Sequence, residues 1–370
     1  MSTTITTQMT EQHIRESIGK ILDPDLNISL HDLNAIQSVE IHGMTISVYI
    51  ELYPPVHWIA KTIEDAIREN ILSIAEGYSV DIYVREIVVP RAANPNVLPT
   101  IKHLIAVSSG KGGVGKSTIA ANIAAALAQR GASVGLLDAD IYGPSIPTMY
   151  GVAGKQMEAE KTESGALLGY PIEQYGVKIA SIGFIMDRDQ AAIMRGPMLA
   201  GYFTTLMDQI AWGNLDFLVF DLPPGTGDIQ LTLTQRVPLD GAVIVTTPQE
   251  ISVTDVRRSI SMFKKVNVTI LGVIENMSYF IPPDAPEKQY HIFGKGGGEQ
   301  VSKDTGVPFL GEVPLTIDTR EGGDSGFPVV LNPEYLKQGD IIRSITASIV
   351  SAIRKNAHAS GDSPTISISL

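Results

Sequence analysis

The chain has 370 residues, enough for two domains with a full core in the larger one. A hydrophobic content of 44% with 18% charged residues is ordinary for a soluble globular protein, and a net charge of −12 argues against broad binding to a nucleic-acid backbone. There is no cysteine, which excludes disulfides, thiolate nucleophiles and cysteine-ligated metals within the chain.

The N-terminus, MSTTITTQMTEQ, is polar and lacks the apolar core of a secretory leader. No apolar run approaches the ~18 residues of a membrane span, so the expected location is the cytoplasm. Residues 1–90 read as a small α/β domain. Glu11–Ile21 predicts a helix with Ile14, Ile18 and Ile21 on one face. Asp23-Pro24-Asp25-Leu26 is a turn. Val39–Ile41 and Thr45–Leu52 alternate as strands around a His42-Gly43 turn. Trp58–Ala75 predicts a second amphipathic helix and Ser79–Val89 a third strand. The proline- and asparagine-rich stretch 91–100 reads as a linker.

Residues 101–356 alternate strands with helices, which predicts a doubly wound, mostly parallel sheet covered on both faces. The run Leu104–Val107 leads into GKGGVGKST, which is Gly110, Lys111, Gly112, Gly113, Val114, Gly115, Lys116, Ser117 and Thr118. An alanine-rich helix from Ile119 to Arg130 follows. Strand, glycine loop and helix in this order, with G-x-x-x-x-G-K-[ST], make a phosphate-binding loop. Glycines let backbone N–H groups turn around phosphate oxygens, and the helix points its positive end at the same anion. Lys116 is expected on the β- and γ-phosphates of ATP, and Ser117 on Mg²⁺. A second lysine, Lys111, directly after the first glycine can reach a nucleotide bound by a second copy of the chain.

Further along, Val134–Leu137 ends in Asp138-Ala139-Asp140, which places acidic residues at the carboxyl end of a parallel strand, beside the ligand crevice. One such carboxylate can hold a Mg²⁺-bound water and another can orient the attacking water. Residues 151–175 read as a polar insertion over the sheet. Phe217–Phe220 followed by Asp221 is a Walker B arrangement, a buried strand that delivers one carboxylate to Mg²⁺. The stiff-then-flexible Pro223-Pro224-Gly225-Thr226-Gly227 suits a segment that moves with the γ-phosphate. Gly241–Thr246 is a buried strand ending at Thr247-Pro248-Gln249-Glu250, and Ile270–Ile274 another ending at Glu275-Asn276-Met277. An asparagine at a strand end can bond the adenine edge with both its amide groups. The glycine run Gly294–Gly298 leads into a helix near Glu299 without a Walker pattern. Ile341–Lys355 predicts the last helix, packed on its own domain, and 357–370 a disordered tail.

GKGGVGKST resembles the deviant Walker A motif of the MinD/Mrp/nitrogenase-iron-protein class of ATPases. DADIYGPS, DLPPGTGD, ENMSYF and IFGKGGGEQ resemble the Mrp/ApbC iron–sulfur carriers within it, over roughly residues 10–340. Asp23–Leu26 and Leu52–Pro55 resemble the small metal–sulfur-cluster assembly domain often fused ahead of them. The resemblance implies a homodimeric ATPase that carries iron–sulfur clusters to apoprotein clients with the help of assembly factors. It implies that Lys111 crosses the dimer interface, that Asp140 orients water, that Asn276 meets adenine and that Pro248 backs it. The cluster itself is implied by resemblance only. Many members carry Cys-x-x-Cys between the last two motifs, where this chain reads IPPDAPEKQYH (Ile281–His291), a proline-rich interval similar to some cyanobacterial and plastid-type members. The assembly domain's usual cysteine is also missing; its strand–helix junction reads PPVHW, with His57 the one titratable group. Asp284, Glu287 and His291 offer only hard ligands, ill suited to a soft cluster. Two other readings stay open: a nucleotide-gated scaffold that binds no cluster, and a MinD/ParA-like positioning ATPase.

Overall fold

The computed structural model describes residues 10–89, 97–140, 143–162, 165, 167–184, 201, 206–285 and 287–361. The chain divides into two units, Met1–Pro90 with Val350–Leu370, and Arg91–Ile349. Residues 91–96 of the expected linker lie outside the described residues, as do Pro90, residues Ile141 and Tyr142 of DADIYGPS, and residues 362–370.

The first unit opens on α1 (Glu11–Ile18), whose N-cap Thr10 side chain accepts from the His13 N–H and whose Ile14 and Ile18 are buried. The helix stops three residues short of the predicted end. At Gly19 the chain turns so close to His31 that a Cβ would sit 3.2 Å from the His31 Cβ. Strands β1 (Ile36–His42) and β2 (Thr45–Leu52) form the expected hairpin around Gly43, at φ +61°. After α2 (Ala60–Ile74), which buries Ile63, Ile67 and Ile71, β3 (Ser79–Glu86) returns parallel to β2.

The turn at Asp23 carries more than a turn. Asp23 Oδ1 accepts from the N–H groups of Asp25 and Leu26, both at 3.0 Å. The guanidinium of Arg354, in the chain's last helix (Leu336–Gly361), donates to Asp23 Oδ1 and Oδ2 at 2.9 and 2.6 Å, to Asp25 Oδ2 at 2.7 Å and to the Tyr53 carbonyl at 3.1 Å. Arg354 and Asp23 are both fully buried. Burial alone would raise the Asp23 carboxyl, but Arg354 and the two turn N–H groups outweigh it and hold it below its ordinary value. The helix runs past its expected end at Lys355. Residues 357–361 are helical, with the His358 ring edge-on to Tyr53 at 4.9 Å. The signal lay in Asp23 and Asp25, far away in sequence.

The second unit holds an eight-stranded sheet. In chain order come β4 (Ile101–Ser109), α3 (Lys116–Gln129), β5 (Val134–Asp138) and the single turn α4 (Ile146–Met149). The expected insertion, residues 151–175, holds a small ribbon of β6 (Ala159–Lys161) and β7 (Leu167–Gly169), but its last strand β8 (Ile172–Gln174) joins the main sheet with β9 (Val177–Ser181). Then come β10 (Leu215–Asp221), α5 (Asp228–Arg236), β11 (Gly241–Thr246), α6 (Glu250–Lys265), β12 (Ile270–Phe280), α7 (Gly297–Thr305), β13 (Phe309–Leu315), α8 (Ile317–Ser325) and α9, the Leu336–Gly361 helix.

The strand order is β13-β12-β11-β4-β10-β5-β9-β8, parallel except for the edge pair β8–β9. This is the expected doubly wound sheet. The apolar runs at 104–107, 217–220 and 242–245 are buried because helices cover both faces. Register puts the strand ends side by side: Asp221 pairs with Val107 and with Asp138, and Asp138 pairs with Ser181. Three functional carboxylate or hydroxyl groups thus share one edge of the sheet. Among the described residues no helix is long and apolar enough to cross a membrane.

Replacing Arg354 by Met leaves Asp23 buried without its counter-ion and is expected to destabilise the first unit by about 3–5 kcal/mol. Hydrogen exchange at residues 21–30 of the intact chain measures it. Because Asp23's folded pKa is depressed, its contribution is present above the unfolded value of about 3.9 and is lost as pH falls below that. Unchanged protection in the variant would contradict the assignment.

Candidate functional site

The phosphate loop joins β4 to α3 through two left-handed glycines, Gly113 at φ +81° and Gly115 at φ +80°. Gly110 is required for a different reason. A Cβ there would lie 2.4 Å from the Asp255 backbone carbon, so its absence lets α6 lie against the loop. A Cβ at Gly115 would fall 2.2 Å from Asn276 Nδ2. Gly112, Gly113, Gly115, Ser117 and Thr118 line a cleft of about 200 Å³ together with Lys111, Lys116, Asp140, Ser145 and Pro224. Val114 is buried beneath the loop.

Lys116 is the centre of charge. Its Nζ donates to Asp221 Oδ1 at 2.5 Å and to Ser117 Oγ at 3.3 Å, and lies 3.5 Å from Asp140 Oδ2. The ammonium is 6% exposed, Asp140 13% and Asp221 not at all. Asp138, one strand over, is also fully buried. Burial, then the neighbouring charge of Asp221, pushes the Asp138 carboxyl up to about 8 against the pull of Lys116 and Ser181. Burial likewise raises Asp140, with Lys116 opposing and Asp221 assisting. Two carboxylates thus flank one ammonium, with the buried Asp138 carboxyl one strand over from Asp221. Asp221 Oδ2 is buried and, among the described residues, has no hydrogen-bond partner. Asp221 and Ser117 both meet Lys116 Nζ, and a desolvated carboxylate oxygen with a hydroxyl on the same ammonium suits a hard divalent cation such as Mg²⁺.

Lys111 is turned to its own chain: Nζ donates to Gln249 Oε1 at 3.2 Å, and its carbonyl accepts from Ser109 Oγ at 2.9 Å. Gln249 was not singled out by the sequence, and nothing in its local pattern marks it. Asn276 is buried, with Nδ2 donating to the Val114 carbonyl at 2.8 Å. One of the two amide groups expected to face adenine is therefore committed to the phosphate loop. Next to it, the buried Glu275 accepts from the Gly298 N–H at 2.6 Å and from Ser278 Oγ at 2.9 Å. The second glycine run is thus closed by a carboxylate at the N-terminus of α7 and is no second phosphate site. Pro248 backs that run: a Cβ at Gly297 would meet its carbonyl at 2.4 Å.

Comparison with known proteins gives two family matches. Residues 100–350 match the family described as NUBPL iron-transfer P-loop NTPase, and residues 11–84 match one described as iron–sulfur cluster assembly protein. The chain is 45% identical over 347 residues to an iron–sulfur cluster carrier protein of Synechocystis, covering 93% of this chain and 98% of that one. It is 48% identical over 250 residues to the iron–sulfur cluster transfer protein NUBPL of Dictyostelium discoideum, covering 68% and 76%. Among solved structures, the nucleotide-binding protein in complex with ADP from Archaeoglobus fulgidus is similar with a TM-score of 0.56 at 34% identity, over 68% of this chain and 97% of that one.

Gly115→Ala forces a side chain into the left-handed region and into Asn276. It is expected to weaken ADP binding by at least about tenfold while the fold is kept, read by fluorescent-ADP titration. Wild-type affinity would mean that the loop does not hold the nucleotide.

Proposed function

This chain belongs to the NUBPL/Mrp family of iron-transfer P-loop NTPases, and from that membership we propose that it binds and hydrolyses ATP to deliver iron–sulfur clusters to apoproteins. The observation that carries the nucleotide half is Lys116 set among Asp221, Asp140 and Ser117 at the mouth of the glycine loop. In this reading Lys116 neutralises the β- and γ-phosphates, and the loop backbone of Gly110 to Thr118 cradles them. Ser117 and Asp221 would hold Mg²⁺, which supplies charge neutralisation on the phosphates when bound. Asp140 orients the attacking water from the cleft wall. Asn276 offers its remaining amide oxygen to the adenine amino group, with Pro248 behind.

The chain acts as a homodimer, and Lys111 exchanges Gln249 for the partner's nucleotide. A lysine amine on a neutral amide gives up little on leaving it, because the bond to Gln249 is an ordinary single one and the side chain is only part-buried.

The cargo is a cluster, and this chain offers it no thiolate. Among the described residues no three His, Asp or Glu side chains converge to hold a metal ion. The residues present therefore do not fit thiolate ligation. The same observation favours a second reading, in which the nucleotide cycle gates a scaffold for assembly partners and no cluster rests on this chain.

Lys111→Ala is expected to leave ATP binding near normal, slow turnover and weaken ATP-dependent dimerisation, whereas Lys116→Ala abolishes binding or turnover. Dimerisation and turnover unchanged by the loss of Lys111 would remove the cross-interface role. Anaerobic reconstitution with iron and sulfide, then transfer to an apo-ferredoxin, tests the carrier half. A bound, transferable cluster supports carriage; an active ATPase that takes up no iron supports the scaffold.

A further inference from the structure

We propose that Asp138 and Ser181 are positioning residues for hydrolysis, which together fix Asp140 and the start of α4 against the cleft. This rests on the ATPase reading above. Asp138 closes β5 and is fully buried. Its Oδ1 accepts from the Asp140 N–H at 3.2 Å. Its Oδ2 accepts from the Ile146 N–H at 3.2 Å and from Ser181 Oγ at 3.1 Å. One carboxylate therefore holds the backbone at two points six residues apart. Next to those points stand Asp140, whose carboxylate is 3.5 Å from Lys116 Nζ, and Ser145, which also lines the cleft.

The contrast with Asp221 separates the roles. The two aspartates are in register on adjacent strands. Asp221 gives one oxygen to Lys116, and its other oxygen has no hydrogen-bond partner among the described residues. Both oxygens of Asp138 are engaged, by backbone and by Ser181. Asp221 has lone pairs to present to a ligand, and Asp138 is a strut.

Ser181 sets the strut. It ends β9 opposite Asp138, is fully buried, and accepts from the Gly183 N–H at 3.1 Å while its own hydrogen goes to Asp138. Without the hydroxyl, Oδ2 keeps only the Ile146 N–H. The carboxylate is then freer to rotate, and the Asp140 backbone moves with it. Asp140 acts on the water in the chemical step, so the consequence falls on turnover and not on affinity.

The test is ATP turnover and fluorescent-ADP affinity, with melting temperature, for the intact wild-type chain, Ser181→Ala and Asp138→Asn. Ser181→Ala is expected to lower kcat about tenfold with ADP affinity held within about twofold. Asp138→Asn, left with one acceptor oxygen for three donors, is expected to lower kcat further while still binding ADP. Wild-type kcat in Ser181→Ala overturns the proposal. Loss of ADP binding in step with kcat, or a collapsed melting temperature, also overturns it, since that is general assembly and not positioning. A wild-type chain that binds ADP without hydrolysing ATP overturns the parent reading, and this one with it.

Discussion

Lys116 on Asp221, 2.5 Å apart and almost without solvent, is the contact on which the site depends. An ammonium and a carboxylate removed from water both carry a desolvation cost, which their attraction offsets only at close range and in good geometry. Burial holds Asp138 and Asp140 above the ordinary carboxylate range, so both ionise more readily when positive charge is added beside them. The edge of the sheet is therefore built for added positive charge, and the glycine loop beside it for added negative charge. A metal–nucleotide complex brings both at once.

The strand that steadies this arrangement is β12. Its neighbouring residues Glu275 and Asn276 point to opposite sides, as strand geometry requires. Glu275 closes the second glycine run at Gly298, and Asn276 holds the phosphate loop at Val114. The segment between β12 and α7 leaves and returns over a mutual pair of backbone bonds between Phe280 and Tyr290, both 2.9 Å. That stem closes on the last residue of the strand that braces the nucleotide loop.

The phosphate loop, the Walker B aspartate and the buried strands were legible because each is a local pattern: glycine spacing, a short apolar run, an acidic end. The hairpin around Gly43 was legible for the same reason. What stayed hidden depends on partners distant in sequence. Asp23 read as a turn residue, yet its strongest partner is Arg354, in the chain's last helix. Gln249, which meets Lys111, and Ser181, which strand register sets opposite Asp138, belong to no motif. Asn276 stood out at a strand end, but its bond to Val114 required knowing where the loop folds. Residues 151–175, polar in composition, read as an insertion although strand β8 within them pairs at the sheet edge.

Asp221, with Ser117, is taken to serve a divalent cation carried with the nucleotide. The direct measurement is ADP affinity with and without Mg²⁺, in the wild-type chain and in Asp221→Asn. The account predicts that Mg²⁺ tightens ADP binding in the wild type by about tenfold or more and has little effect once Asp221 is an amide. Affinity that ignores Mg²⁺ in the wild type, or that responds equally in the variant, would contradict it.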